Sequence, residues 1–250
     1  MNRFLYLVYS ELIRLIRLPA YLIPTLVFPV MFFSIFGLPN AKNELGGVNA
    51  ATYILISFSA YSLISTSLFA FGVSIAAERG LGWQKLMRVT PLNPMLYFAS
   101  KIVNALLQGI FIIILLGLFA SFVGHLNYDV LLFVKTVGKL LLGVSAFVAL
   151  GLWIGYVGGP NSAAGIANLI FLPMSFASGL FMPLQFMPEF LRNIAPYTPA
   201  YHFAQIGWMS IGAKSDTTEL VHWIWLLSYG ALFFLLALVA FRRDEGKNFG

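Results

Sequence analysis

Residues 53–94 read YILISFSAYSLISTSLFAFGVSIAAERGLGWQKLMRVTPLNP. From Tyr53 to Ala77 no residue is charged, and the run is longer than the ~20 residues that a helix needs to cross a ~30 Å hydrocarbon core. Strict period-two alternation is absent, so the run reads as a transmembrane helix and not as a barrel strand. At Glu78 it gives way to a compact basic stretch. Trp83 with Met87, and Lys85 with Arg88, are neighbours at helical spacing, which gives that stretch one apolar and one basic surface. Thr90 and Pro91 stop it, Asn93 is suited to cap the next helix, and Pro94 to occupy that helix's first turn.

The rest of the chain repeats this reading. Of 250 residues, 60% are hydrophobic and 10% charged, with a mean hydropathy of +0.86, a composition that excludes an ordinary soluble domain. An all-α membrane protein with six transmembrane helices is expected, at about Tyr21–Leu38, Tyr53–Ala77, Met95–Val123, Val130–Val157, Ala163–Phe181 and Val221–Phe241. Six spans put both termini and the 78–94 loop on one side, with ten of the 15 Lys and Arg residues, and five on the other. The positive-inside rule then makes the termini cytoplasmic in a bacterial-type cytoplasmic membrane, and explains the net charge of +6 without nucleic-acid binding.

Ahead of the first span, Arg3, Ser10, Glu11, Arg14 and Arg17 fall on one helical arc, and Phe4, Leu5, Val8, Leu12, Leu15 and Ile16 fill the opposite one. Such a helix lies in the headgroup plane until Pro19 turns the chain into the bilayer. It is either a simple anchor or part of a functional surface. Arg14 and Arg17 interrupt the apolar run, so this segment does not read as a cleavable signal. Between the fifth and sixth spans, Pro183, Pro188, Pro196 and Pro199 break residues 182–205 into short helices dense in Met, Phe and Tyr, suited to sink into the outer leaflet.

With these features on one chain, the sequence resembles the ABC-2 type exporter permeases, whose coupling segment has a Glu-Arg pair, a short helix and a Thr-Pro-Leu turn. Glu78, Arg79, Leu86 and Thr90-Pro91-Leu92 match it; Leu81, Gly82 and Trp83 are more apolar than the family pattern. The resemblance implies one transmembrane domain over residues 1–250, with an interfacial helix at 1–18, a cytoplasmic coupling helix within 78–94 and short re-entrant helices within 182–205. It implies a second permease copy, forming a homodimer in membrane lipid, and a dimer of ABC ATP-binding subunits. The docking surface would be Glu78, Arg79, Trp83, Lys85, Leu86, Met87 and Arg88, with Arg14 and Arg17. No GxxxxGK[ST] phosphate loop occurs, so ATP and Mg are expected on the partner subunit and no cofactor on this chain.

The family's route between two copies is lined by the second and fifth spans. Ser59, Ser62 and Thr66 share one face of the second span, and Tyr61, Ser65 and Gly72 another. Such hydroxyls serve either helix packing or, with Asn168, Phe171 and Phe176, a weakly polar lining for amphipathic cargo. Gly151, Gly155 and Gly159 recur at four-residue intervals, as close helix packing requires. Lys101 is placed to snorkel to the interface, and Lys135 and Lys139, one turn apart, either snorkel or attract an anionic headgroup or substrate. No catalytic constellation or metal site is expected: His125, His202 and His222 fall near the outer surface without metal-ligand spacing, and Cys is absent. The reading is a permease exporting a drug-like or lipid-like amphipath. Its alternatives are export of polysaccharide or sodium, or a scaffold or sensor that transports nothing.

Overall fold

The computed structural model describes residues 3–17, 19–83 and 93–249. Lys85, Leu86, Met87 and Arg88, four of the expected docking residues, lie outside them. The chain is mostly helical, with one two-stranded hairpin, β1 (Glu44–Leu45) and β2 (Val48–Asn49), paired antiparallel. Among the described residues, four helices are long and apolar enough to cross a membrane: α3 (Ala50–Gly80), α4 (Pro94–Phe122), α5 (Val130–Val157) and α9 (Glu219–Phe249).

The expected first and fifth spans are shorter. Helix α2 (Pro19–Phe32) relaxes into a π turn at Phe33–Gly37 and a 3-10 turn at Leu38–Asn40, and its apolar part covers Thr25–Asn40. Helix α6 is Ala163–Ala177, about 22 Å at 1.5 Å per residue. It ends before the expected Phe181 because Gly179 adopts a φ of +87°, which glycine allows at no steric cost. The proline-rich segment folds as a 3-10 turn, the short helix α7 (Glu189–Ile194), another 3-10 turn and α8 (Pro199–Ser210). Thr198 Oγ1 caps α8 by accepting from Tyr201 N, and Pro199 fills its first turn.

Helix α3 is the axis of the fold. Most of its residues between Ala50 and Thr66 are buried, including Leu55, Ile56, Phe58, Leu63 and Ile64. Asn49 caps its start, accepting from Ala51 N and Thr52 N. A π segment at Ser67–Val73 lets its backbone meet α5 without intervening side chains. A Cβ on Gly72 would lie 2.4 Å from Gly151 O, and one on Gly151 would lie 2.2 Å from Ser67 O. Gly155 meets Gly72 O in the same way, so Gly151 and Gly155 serve the packing that their spacing implies; Gly159 lies beyond the end of α5. Helix α8 is wedged beside α3, where Trp208 stacks on Tyr53 and donates to Ser57 Oγ at 2.9 Å. Helix α9 mostly presents Leu, Ile and Phe outward, as a lipid-facing helix does.

Helix α1 (Arg3–Ile16) lies against α4 with Glu11 and Arg14 turned toward the ends of α3 and α4, and with Leu5 exposed. The two ends of the bundle are thereby distinct. One gathers α1, the end of α3, the start of α4 and the ends of α5 and α9; the other holds the hairpin, α8 and the start of α9.

Candidate functional site

The chain leaves α3 after Gly80 at a cluster of charges. Glu78 is buried and is bonded by Lys101 Nζ at 2.7 Å, by Tyr97 Oη and by Arg14 Nη1. Lys101 also reaches Glu11 at 3.0 Å and sits over the Tyr97 ring at 5.2 Å, and Arg14 meets Glu11 at 3.1 Å. Two carboxylates and two cations thus neutralise one another where α1, α3 and α4 meet. Lys101 does not snorkel. Its side chain is buried because two carboxylates converge on the ammonium from neighbouring helices, which a reading along one helix does not reveal.

Arg79 turns to another part of the fold. Its guanidinium grips Asp244 of α9 in two-point fashion, with Nε to Oδ2 at 3.2 Å and Nη2 on Oδ1. Nη1 donates to Gly155 O at 2.5 Å and Gly158 O at 3.3 Å, and the group lies 4.9 Å from the Tyr156 ring centre. Of the expected docking residues, Glu78, Arg79 and Arg14 are therefore engaged within the chain. Arg17 is exposed, and Trp83 is partly exposed with its ring 6.4 Å from that of Tyr97. Asn93 accepts from Met95 N and Pro94 opens α4, as their positions in the sequence imply.

The residues proposed for a route separate into two groups. A groove of about 450 Å³ between α2, α3 and α6 brings together Ser62, Asn168, Phe171 and Phe176, with Tyr61, Ser65 and Thr25. Ser59 and Thr66 are fully buried elsewhere, with their hydroxyls returned to Leu55 O and Leu63 O. A Cβ on Gly109 of α4 would stand 3.2 Å from Thr66 Oγ1, so Thr66 faces α4 and not the groove. The polar lining belongs mainly to the Tyr61 and Ser65 face. Phe181 closes one end, its ring 5.1 Å from Tyr61, 5.3 Å from Phe32 and 4.5 Å from Phe176. Phe181 also lines a second cavity of about 700 Å³ near the hairpin, where Asn40, Lys42, Asn43, Glu44 and Gln185 supply polar groups.

At the hairpin end the histidines form a buried pair that their sequence positions do not announce. His202 and His222 approach at 2.9 Å between Nδ1 atoms. His202 Nε2 donates to Pro196 O at 2.8 Å, so its Nδ1 is the acceptor and His222 Nδ1 carries the hydrogen. Thr217 Oγ1 then donates to His222 Nε2 at 3.0 Å. Burial above all, against the opposing effect of the bond to Pro196 O and with the nearby His222 adding to it, lowers the His202 imidazole to about 4. Lys139 is paired within the chain with Glu219 at 2.8 Å, a partner that its position in the sequence does not announce. No group of three or more His, Cys, Asp or Glu that could hold a metal occurs among the described residues.

Comparison with known proteins agrees with this arrangement. The chain is similar to "Putative transport permease YvfS" of Bacillus subtilis (strain 168), with 25% identity over 236 residues that cover 94% of this chain and 96% of that protein. Residues 38–239, from the end of the first apolar helix to within the last, match the model of the ABC-2 family transporter proteins. A match over most of the chain, on a helical bundle whose long helices can cross a membrane, settles the family: this chain belongs to the ABC-2 transporter family, as a membrane subunit that pairs with an ATP-binding subunit.

Proposed function

We propose that this chain is the permease of an ATP-driven exporter in which two copies pair through the groove face and carry an amphipathic drug-like or lipid-like compound outward. The observation that carries this reading is the double use of α3. Its middle holds Tyr61, Ser62 and Ser65 on the groove, and its end holds Glu78 and Arg79 at the root of the loop. A push on that loop is thereby applied to the helix that lines the groove. In this reading all six apolar helices cross the membrane with both termini cytoplasmic, the loop docks the ATPase through Trp83, Lys85, Leu86, Met87 and Arg88, and residues 182–205 sit in the outer leaflet.

The groove chemistry supports the class of cargo. Aromatic rings dominate a lining that contains hydroxyls and one amide but no charged side chain, as suits an amphipath and not a hydrated ion or a sugar chain. The test is purification of the chain with a co-expressed ATP-binding subunit, wild type against Trp83→Asp plus Lys85→Glu. The wild type should carry the subunit and hydrolyse ATP in lipid, and the variant should fold but lose it. Unchanged binding and hydrolysis by the variant would remove the loop from the mechanism and favour a scaffold.

A further inference from the structure

Glu78 and Arg79 are consecutive on the last turn of α3, so their side chains leave the helix about 100° apart. That angle sends them to different neighbours. Glu78 reaches Arg14 of α1, and Tyr97 and Lys101 of α4. Arg79 reaches Asp244 of α9 and the carbonyls of Gly155 and Gly158 at the end of α5. We propose that Asp244 is a positioning residue of the coupling machinery: through Arg79 it makes α5 and α9 follow the 81–93 loop, while Glu78 binds α1 and α4 to the same loop. The inference rests on the reading of that loop as the ATPase contact.

The grip suits transmission. A guanidinium fork on a carboxylate fixes both distance and direction, and the Arg79 and Asp244 side chains are only 16% and 15% exposed, so screening is weak. The Gly155 and Gly158 carbonyls stand at the end of α5, whose glycines interlock with α3 and which already packs along α9, so the Arg79–Asp244 pair fixes the root of the loop to the ends of two helices that move together. Without Asp244, the guanidinium would keep two carbonyl acceptors and the Tyr156 face, so the fold should survive.

The test uses the cysteine-free chain in complex with its co-purifying ATP-binding subunit in nanodiscs. Spin labels are placed at Leu107→Cys on α4 and Leu232→Cys on α9, both exposed. Labelled chain is diluted into unlabelled chain so that only distances within one copy are read. Trapping with ADP and vanadate should shift the wild-type distance. Asp244→Ala should retain the subunit and fold with a lowered thermal midpoint, yet lose the shift, and Asp244→Glu should regain both. A full shift in Asp244→Ala would overturn the inference, leaving the pair a static staple. Loss of folding or of the subunit in Asp244→Ala, not restored by Asp244→Glu, would also overturn it. A wild-type chain that binds no ATP-binding subunit would instead overturn the coupling reading itself.

Discussion

Residue by residue, the strongest commitments are the ionised groups held in the apolar bundle. Lys101 neutralises Glu78 and Glu11 at once. Lys101→Met would leave Arg14 as the remaining cation of the cluster, with a side chain that is 38% exposed and a charge that is therefore partly screened, beside the Tyr97 hydroxyl on Glu78. The expected loss is about 3 kcal/mol, or about 6–12 °C in thermal midpoint measured in detergent. Restoring neutrality with Glu78→Gln in the same chain should recover part of it; an unchanged midpoint in the single variant would mean that the cluster contributes nothing. The Glu-Arg pair itself was legible in the sequence, since two charges at the end of an apolar run are conspicuous. Their partners were not. Arg14, Lys101 and Asp244 are separated from the pair by 64, 23 and 165 positions, and only tertiary packing brings them together.

At the scale of elements, periodicity and composition located the long helices within a few residues, because ~20 apolar residues have few other fates in a bilayer. The glycine stripe of α5 was equally readable, and its contacts sharpen it into a contrast. Gly151→Ala would drive a methyl into the Ser67 carbonyl, whereas a Cβ on Gly138 or Gly165 meets nothing within 4 Å. Thermal unfolding should therefore show a loss of several degrees for Gly151→Ala and little change for Gly138→Ala. Helix α8 was less legible. Its prolines mark breaks but do not show that the last piece is a buried helix clasped to α9 by His202 and His222. That clasp has a pH signature. The His202 imidazole falls from an ordinary value near 6.5 to about 4 on folding, so the folded state binds fewer protons between those values. Its stabilising effect is complete above about pH 6.5 and disappears as pH falls toward about 4. The thermal midpoint should fall across that window more steeply in wild type than in His202→Gln, and equal slopes would show that the clasp does not couple to protonation.

The whole molecule joins two regions through one helix: a charge cluster at the root of a loop, and an apolar groove about half the length of α3 away. Thr66 and Ser59, on the face of α3 away from the groove, show why the lining could be read only in part. A span buried on several sides carries hydroxyls on all of them, and backbone bonds within the helix satisfy those that face other helices. Ser65 and Phe176 lie on the groove with Ser62 and Asn168, which also bond their own helices at Phe58 O and Ala164 O, and these residues define where two copies and a cargo would meet. Oxidative crosslinking of Phe176→Cys in native membranes should therefore trap a dimer, while Leu142→Cys, exposed on α5 away from the groove, should stay monomeric. A monomer at both positions would argue against pairing through this face.

The most direct measurement is the accessibility of the groove as the loop is driven. Ser65→Cys in the assembled complex should react with a polar maleimide at different rates in the nucleotide-free and the ADP-vanadate-trapped states. A chain that also carries Trp83→Asp, mixed with the same ATP-binding subunit, should react at one rate with and without trapping nucleotide. A rate at Ser65 that ignores nucleotide in the wild-type complex, with the ATP-binding subunit present and hydrolysing, would contradict the account.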